Sequence, residues 1–264
     1  MAIVTVLGSG TSVSSFYKPF DFRGPAGYLL QHNDKNYLLD CSEGIRARLD
    51  KIKVDYYSIN NIFISHFHPD HFSLVTFMQS FMGRALWGRE VKSINVYGPP
   101  EIEVRFKIIW DAMHNPGNFD TEASKFLKIN FYEYKDGVNL QVDDDLEVTP
   151  FKVNHANMQA YSLRFNIQKK VLTYSGDSGS CPGLEKAASD ADLFICEANQ
   201  ENGDQNKSHL TVDESSLIAL NNKVKKLALT HLPGKNKDAE IIDEAKKYYP
   251  GDVVVAHDFD VLQL

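Results

Sequence analysis

What this chain of 264 residues lacks narrows its class before any motif is read. No apolar run approaches the roughly 20 residues of a membrane-spanning helix. The opening stretch Ile3-Val4-Thr5-Val6-Leu7 reads as a strand, without the basic segment and long apolar region of a secretory signal. Cysteine is scarce. Cys41, Cys181 and Cys196 are odd in number and form no paired motif, which argues against a disulfide framework and for buried thiols in a reducing cytoplasm. Positive charge is in deficit as well, with 28 Lys and Arg against 35 Asp and Glu for a net charge of -7. Proteins that grip long stretches of phosphate backbone show the opposite balance on at least one face. Pro/Gly/Ser-rich linkers and low-complexity tracts are missing too. Residues 1–264, with 43% hydrophobic content, are therefore expected to form one domain around one substantial core.

Histidine is sparse overall but concentrated. Of nine in the chain, three fall in the run Ser65-His66-Phe67-His68-Pro69-Asp70-His71. This run directly follows Ile62-Phe63-Ile64, which reads as a buried strand. Four metal donors thus sit at a strand end, where His66 and His68 can aim at one ion while Asp70 and His71 reach a neighbouring one. Neutral imidazoles with a carboxylate suit zinc best, and manganese or ferrous iron accept the same donors. A polar surface loop explains one such histidine but not three of nine so close together. Further donors follow apolar runs elsewhere: His155 after residues 146–153, Asp177 after 171–176, and His231 after 227–230. That placement is expected when strand ends converge on one rim of a sheet.

The pattern His-x-His-x-Asp-His followed by separate His, Asp and His resembles the signature of the metallo-β-lactamase superfamily, and the match runs from Gly8 to the C-terminus. The resemblance implies an α/β fold, a four-layer αββα sandwich of two mixed β-sheets flanked by helices. It implies His66, His68 and His155 on a first metal ion, Asp70, His71 and His231 on a second, and Asp177 bridging the two. Ions bridged in this way lie roughly 3.5 to 4 Å apart, with room for a bridging water. Asp40 resembles the family's ligand-orienting aspartate. Taken alone, it reads equally as a carboxylate at the N-terminus of a helix over residues 43–50.

The order of elements fits such a sandwich. Strands run to Asp40, then a helix over 43–51, the strand ending at the histidine cluster, and an apolar helix over 72–82. A strand over 93–97 leads into a helix carrying Val104, Ile108 and Ile109, and the middle, 127–175, is strand-rich. Alternation returns with strand 193–196, helix 212–220, strand 226–229, helix 239–248 and strand 253–256. The family's internal two-fold repeat is not visible in the sequence.

Other details select a branch of the superfamily. The bridging place is held by Asp177, not cysteine, and no residue of the first motif is glutamate, which points away from β-lactamases and flavodiiron-type oxidoreductases. The runs Leu39-Asp40-Cys41-Ser42-Glu43-Gly44, Tyr97-Gly98-Pro99-Pro100 and Ser175-Gly176-Asp177-Ser178 resemble the ribonuclease Z and phosphodiesterase branch. So does Ser208-His209-Leu210-Thr211 with Glu197-Ala198 upstream. The resemblance implies that His209 protonates the leaving oxygen and that Glu197 holds its ring. Alone, His209 reads as a surface histidine beside a helix N-cap. Ribonuclease Z carries a long tRNA-clamping arm between its His and Asp motifs, whereas here 177 minus 155 leaves 22 residues. That suffices for one return strand, a turn at Gln168-Lys169-Lys170, and another strand.

The expected activity is hydrolysis of a small phosphodiester or nucleotide by a metal-bridging hydroxide. In it Asp70 orients the nucleophile or takes its proton, and His209 serves as acid. Left open are a tRNA 3′-end endonuclease, a thioesterase or lactonase, and a non-catalytic metal-binding protein. Open too are RNA as a partner and a homodimer; no membrane partner is expected. Gly8-Ser9-Gly10-Thr11-Ser12 lacks the P-loop lysine and is expected to form the turn below the metal site. Arg23, in the loop Phe22-Arg23-Gly24-Pro25, reads as a phosphate contact or as a solvated arginine. Trp110, His114, Phe119 and His257 read either as cleft residues or as ordinary packing. His32, Asp143 to Asp145, and Lys223, Lys225 and Lys226 read as structural or solvated.

Overall fold

The computed structural model describes residues 2–12, 23–200, 207–234 and 236–264. The first half contributes strands β1 (Ile3–Gly8), β2 (Gly27–His32), β3 (Lys35–Leu39), β4 (Ile59–Phe63), β5 (Lys92–Gly98) and β6 (Leu127–Glu133). Helices α1 (Ile45–Lys51), α2 (Leu74–Gly88), α3 (Ile102–Met113) and α4 (Asn118–Thr121) lie between them. The second half contributes β7 (Leu140–Asp143), β8 (Leu146–His155), β9 (Met158–Ile167), β10 (Lys170–Tyr174), β11 (Leu193–Glu197), β12 (Lys226–Thr230) and β13 (Asp252–Val255). Its helices are α5 (Pro182–Ala188), α6 (Val212–Asn221) and α7 (Asp238–Tyr248), and β14 (Val261–Gln263) closes the chain.

Two seven-stranded sheets result, with orders β14-β1-β2-β3-β4-β5-β6 and β13-β12-β11-β10-β9-β8-β7. In the first, β14 to β3 are antiparallel and β3 to β6 parallel. In the second, β7 to β10 are antiparallel and β10 to β13 parallel. Parallel neighbours need crossover connections, and those linking β3 to β6 and β10 to β13 carry α1, α2, α3 and then α5, α6, α7. The two halves therefore share one topology. The internal repeat, invisible in the amino-acid sequence, is plain in strand order, with β3 and β10 in equivalent positions.

The parallel strands bury both faces, which is why they read as unbroken apolar runs. Tyr37, Leu39 and Phe63 face the opposite sheet, while Leu38 and Ile62 face α1 and α2. In the second sheet Leu193, Ile195 and Ala228 point inward, and Phe194, Leu227 and Leu229 pack under α5 to α7. Three apolar layers separate four structural ones, the αββα sandwich expected. Between the sheets Phe63 stacks on Tyr97 at 4.7 Å and meets the edge of Phe165 at 5.1 Å.

Helix ends follow local chemistry. α6 starts with a capping box in which the Thr211 hydroxyl accepts from the Glu214 amide and the Glu214 carboxylate accepts from the Thr211 amide. α2 starts two residues later than expected and continues to Gly88, ending where Arg89 turns left-handed. α3 turns Trp110 inward, the packing role that the sequence offered for it. Ile102, Phe106 and Trp110 are buried, while Val104, Ile108 and Ile109 are 57%, 63% and 39% exposed. Both stripes have helical spacing, and the aromatic one turns inward because Phe106 and Trp110 pack against Phe119, and Phe106 also against Phe131. Among the described residues no helix is long and apolar enough to cross a membrane.

Candidate metal centre

The loops following β3, β4, β8, β10 and β12 converge on one rim and gather the expected donors. The His68 Nδ1 lies 3.1 Å from His66 Nε2 and 2.9 Å from His155 Nε2. Asp177 Oδ2 lies 3.7 Å from both His66 Nε2 and His155 Nε2, and 3.2 Å from His231 Nε2. Its other oxygen, Oδ1, is 3.2 Å from His71 Nε2. Asp70 Oδ2 stands 3.8 Å from His71 Nε2 and accepts from the Ser12 amide at 3.2 Å. The loop of residues 8–12 thus steadies Asp70. Two donor groups emerge, His66, His68, His155 and Asp177 on one side and Asp70, His71 and His231 on the other.

These residues suit divalent ions. Donors about 2.0 to 2.2 Å from a common ion sit some 3 to 3.7 Å from one another in tetrahedral or similar arrangements, the spacing seen here. His71 Nε2 and Asp177 Oδ1 are buried and have no hydrogen-bond partner. Unsatisfied polar atoms facing one another inside a protein are costly, and an ion between them removes that cost. The titration of His66 and His68 agrees. Burial, then the neighbouring His71, holds His66 well below the ordinary imidazole range, and burial followed by His155 lowers His68. Both rings are therefore neutral, the ligating form. Burial opposes charge on His71 as well, but Asp177 and Asp40 on either side raise it well above its ordinary value. Burial likewise works against the Asp177 carboxylate, which His231 and His71 nevertheless hold well below its usual range. The field at His71 Nε2 is one that attracts a cation.

Each ring is aimed by the partner of its far nitrogen. His155 Nδ1 donates to the Ser208 carbonyl at 2.8 Å, leaving Nε2 directed inward. His71 Nδ1 bonds Asp40 Oδ2 at 2.7 Å, and His66 Nδ1 meets the Ser65 hydroxyl at 3.0 Å. That hydroxyl donates to Asp40 Oδ2, the Ser65 amide donates to Oδ1, and the Tyr174 hydroxyl adds a further bond to Oδ2 at 2.6 Å. Asp40 is fully buried and caps no helix; the N-cap of α1 is Gly44, and no side chain caps it. Asp40 steadies one histidine from each donor group. Ser65 and Tyr174 were not singled out in the sequence. Tyr174 hides there as one more apolar residue of β10, and only the approach of the two sheets brings its hydroxyl to Asp40.

Glu197, fully buried at the end of β11, holds a second cluster. Oε1 accepts from His209 Nδ1 and from the Ser178 amide, both at 2.8 Å; Oε2 accepts from the Asn199 and Leu210 amides at 3.2 and 3.3 Å. The His209 ring lies 4.8 Å from that of His155, and a nitrogen of His209 groups with Asp177 and His231. Burial depresses its pKa, but the Glu197 bond prevails and lifts it to about 9. Gly179 permits this assembly, since a Cβ there would sit 1.8 Å from the Lys207 carbonyl. Asp40 and His231 themselves adopt left-handed backbone, φ 55° and 54°, a conformation costly for ordinary residues and concentrated at functional sites.

The other residues named from sequence lie apart. His114 stacks on Trp110 at 4.7 Å and bonds its own helix and Gln79. Trp110 and Phe119 are core residues. Arg23 donates to the Ala256 carbonyl and meets His257, and its neighbour Phe22 lies outside the described residues. His32 bonds Asp145 between the sheets.

A family described as "Anti-Pycsar protein Apyc1" matches residues 3–249. The chain belongs to this Apyc1 family. Ribonuclease Z of Methanothermobacter thermautotrophicus is 26% identical over 94% of this chain and 92% of its own length. The metallo-β-lactamase fold protein YhfI from Bacillus subtilis superposes with a TM-score of 0.82 at 21% identity, covering 99% of this chain and 98% of that one. A diphosphatase of the PhnP family superposes with a TM-score of 0.75 at 20% identity, covering 100% and 98%. This member of the Apyc1 family is a metal-dependent hydrolase of the metallo-β-lactamase fold. Its His/Asp cluster is able to bind metal.

Proposed function

We propose that the protein is a dinuclear phosphodiesterase for a small phosphodiester or nucleotide, with zinc the metal its donors suit best. The observation that carries this reading is the His209–Glu197 pair at 2.8 Å, beside Asp177 and His231. Divalent ions neutralise phosphoryl oxygens and acidify water toward a pKa of about 7 in the well-studied zinc case. The chain supplies the rest. His66, His68 and His155 would hold one ion and Asp70, His71 and His231 the other, with Asp177 standing between the two sets. Asp70, held by the Ser12 amide, orients the attacking water or accepts its proton. His209, kept protonated by Glu197, donates from Nε2 to the departing alkoxide. Hydrolysis at an activated acyl carbon has far less need of such an acid, which favours a phosphodiester over a thioester or lactone.

Relatives named ribonuclease Z supply the second reading, tRNA 3′-end processing. Against it, residues 156–176 form only β9, β10 and their turns, leaving no arm between His155 and Asp177, and the chain carries a net charge of -7. Metal-loaded protein should hydrolyse bis(p-nitrophenyl) phosphate and at least one cyclic or linear dinucleotide-sized substrate. Turnover of thioesters or lactones with none of phosphodiesters overturns the proposal; cleavage of precursor tRNA in preference to small substrates selects the second reading.

A further inference from the structure

Beside the metal rim, and lined by none of the proposed metal donors, lies a cavity of about 770 Å³ between α1, the start of α7 and the turn after β13. Its cations are Arg23, Arg48, Lys51 and Lys237; its carboxylates are Asp238 and Asp258, and His257 completes its titratable groups. The two acids are already committed. Asp258 accepts from the amide and hydroxyl of Ser9 through one oxygen and from the Gly24 amide through the other. Asp238 stands 3.5 Å from Arg23 and 3.1 Å from His257. The remaining cations have no such partner. Arg48 donates only to the Pro25 and Glu43 carbonyls and the Ser42 hydroxyl. Among the described residues no carboxylate lies within 4.0 Å of Arg48, Lys51 or Lys237. Burial lowers the Arg48 guanidinium, against the more distant Asp258 and Glu43 carboxylates, which raise it.

The cavity is also built. The Arg48 guanidinium lies across Gly24, where a Cβ would come within 2.6 Å of Cζ. Lys51, nearly one helical turn further along α1, rests over the Phe259 ring at 4.1 Å. Phe259 itself holds φ 75°, and its amide is pinned to the Val6 carbonyl at 2.6 Å. A bulky residue in that region of backbone space is an outlier, and here it presents a ring to the cavity. Four cations against two carboxylates leave the lining a formal excess of two positive charges on a protein of net charge -7, a local positive field. They match a phosphate monoester of about -1.5 to -2 charge better than a single carboxylate.

We propose that this cavity is an anion site, separate from the metal centre, that takes the phosphoryl group of a small phosphorylated molecule. Inorganic phosphate and adenosine 5′-monophosphate, titrated calorimetrically into metal-loaded protein, should each reveal a class of binding that Lys51→Met weakens at least threefold and Arg48→Met with Lys51→Met at least tenfold. Lys51 is exposed, so its single substitution tests the site without threatening the fold. Turnover of bis(p-nitrophenyl) phosphate by that variant should stay within twofold of the parent. Tungstate soaked into crystals should give an anomalous peak beside Arg48. Tighter binding of the nucleotide than of phosphate assigns the organic part to the Phe259 side; equal binding assigns the site to the free ion. Identical titrations of parent and Lys51→Met, or tungstate only at the His66 and Asp177 cluster, overturn the proposal.

Discussion

His209 and Glu197 make the sharpest claims at the scale of single residues. His209→Ala should slow esters with poor leaving groups by roughly 10²- to 10⁴-fold, the range of general acid catalysis, and p-nitrophenyl esters far less. Equal losses on both substrates, measured as kcat, would remove the acid role. With its pKa raised to about 9, His209 is protonated below that value, so turnover of a poor leaving group should fall as pH rises through about 9. Glu197→Gln should move that falling limb toward 6.5, the ordinary imidazole value. The same shift contributes stability that is complete below about pH 6.5 and lost as pH climbs through about 9. Asp40→Asn should reduce metal affinity about 10- to 100-fold, as for other partners that orient ligands, read by competition with a chromophoric chelator. The seven residues that the structure gathers on one rim were legible because imidazoles and carboxylates at strand ends stand out against apolar runs. Tyr174, Ser65 and the Ser208 carbonyl were not, since a tyrosine, a serine and a backbone oxygen acquire their roles only through contacts across 134, 25 and 53 positions of chain.

Among the elements, the parallel strands announced themselves and the helices less so. Residues 193–196 and 226–229 read as strands because both faces are buried and nearly every position is apolar. The inward face of α3 was not legible, since Val104 and Ile108 have the same spacing as Phe106 and Trp110, and only the presence of Phe119 and Phe131 decides between the stripes. The three-residue β14 was missed for want of any periodicity, its existence resting on pairing with β1. Packing between the sheets predicts that Phe165→Ala costs about 3 to 5 kcal/mol, measurable by urea denaturation; a loss below 1 kcal/mol would mean the sheets do not rely on that contact. Thr211→Ala, removing half of the α6 capping box, should cost about 1 kcal/mol. It should also lower kcat, because Thr211, the N-cap of α6, lies two residues after His209.

For the whole molecule, net charge and architecture point the same way. An acidic chain without an inserted arm should hydrolyse small esters with only weak dependence on salt, whereas a grip on several phosphates of RNA steepens that dependence with each contact. Removing the metals should destabilise the fold, since ligands bound only by the native state add about 2.7 kcal/mol at one hundred times their Kd. Thermal melts with and without chelator should therefore separate by several degrees; coincident melts would argue that the cluster is occupied by no ion. The repeated topology has one more consequence. His66, His68, Asp70 and His71 come from the first half, and His155, Asp177 and His231 from the second. On the proposed assignment the first set of donors is complete only when Asp177 has been translated, and the second only when His231 has. Full metallation would then follow synthesis of both halves, and a nascent chain that ends before Asp177 would hold at most a loose, exchangeable cation.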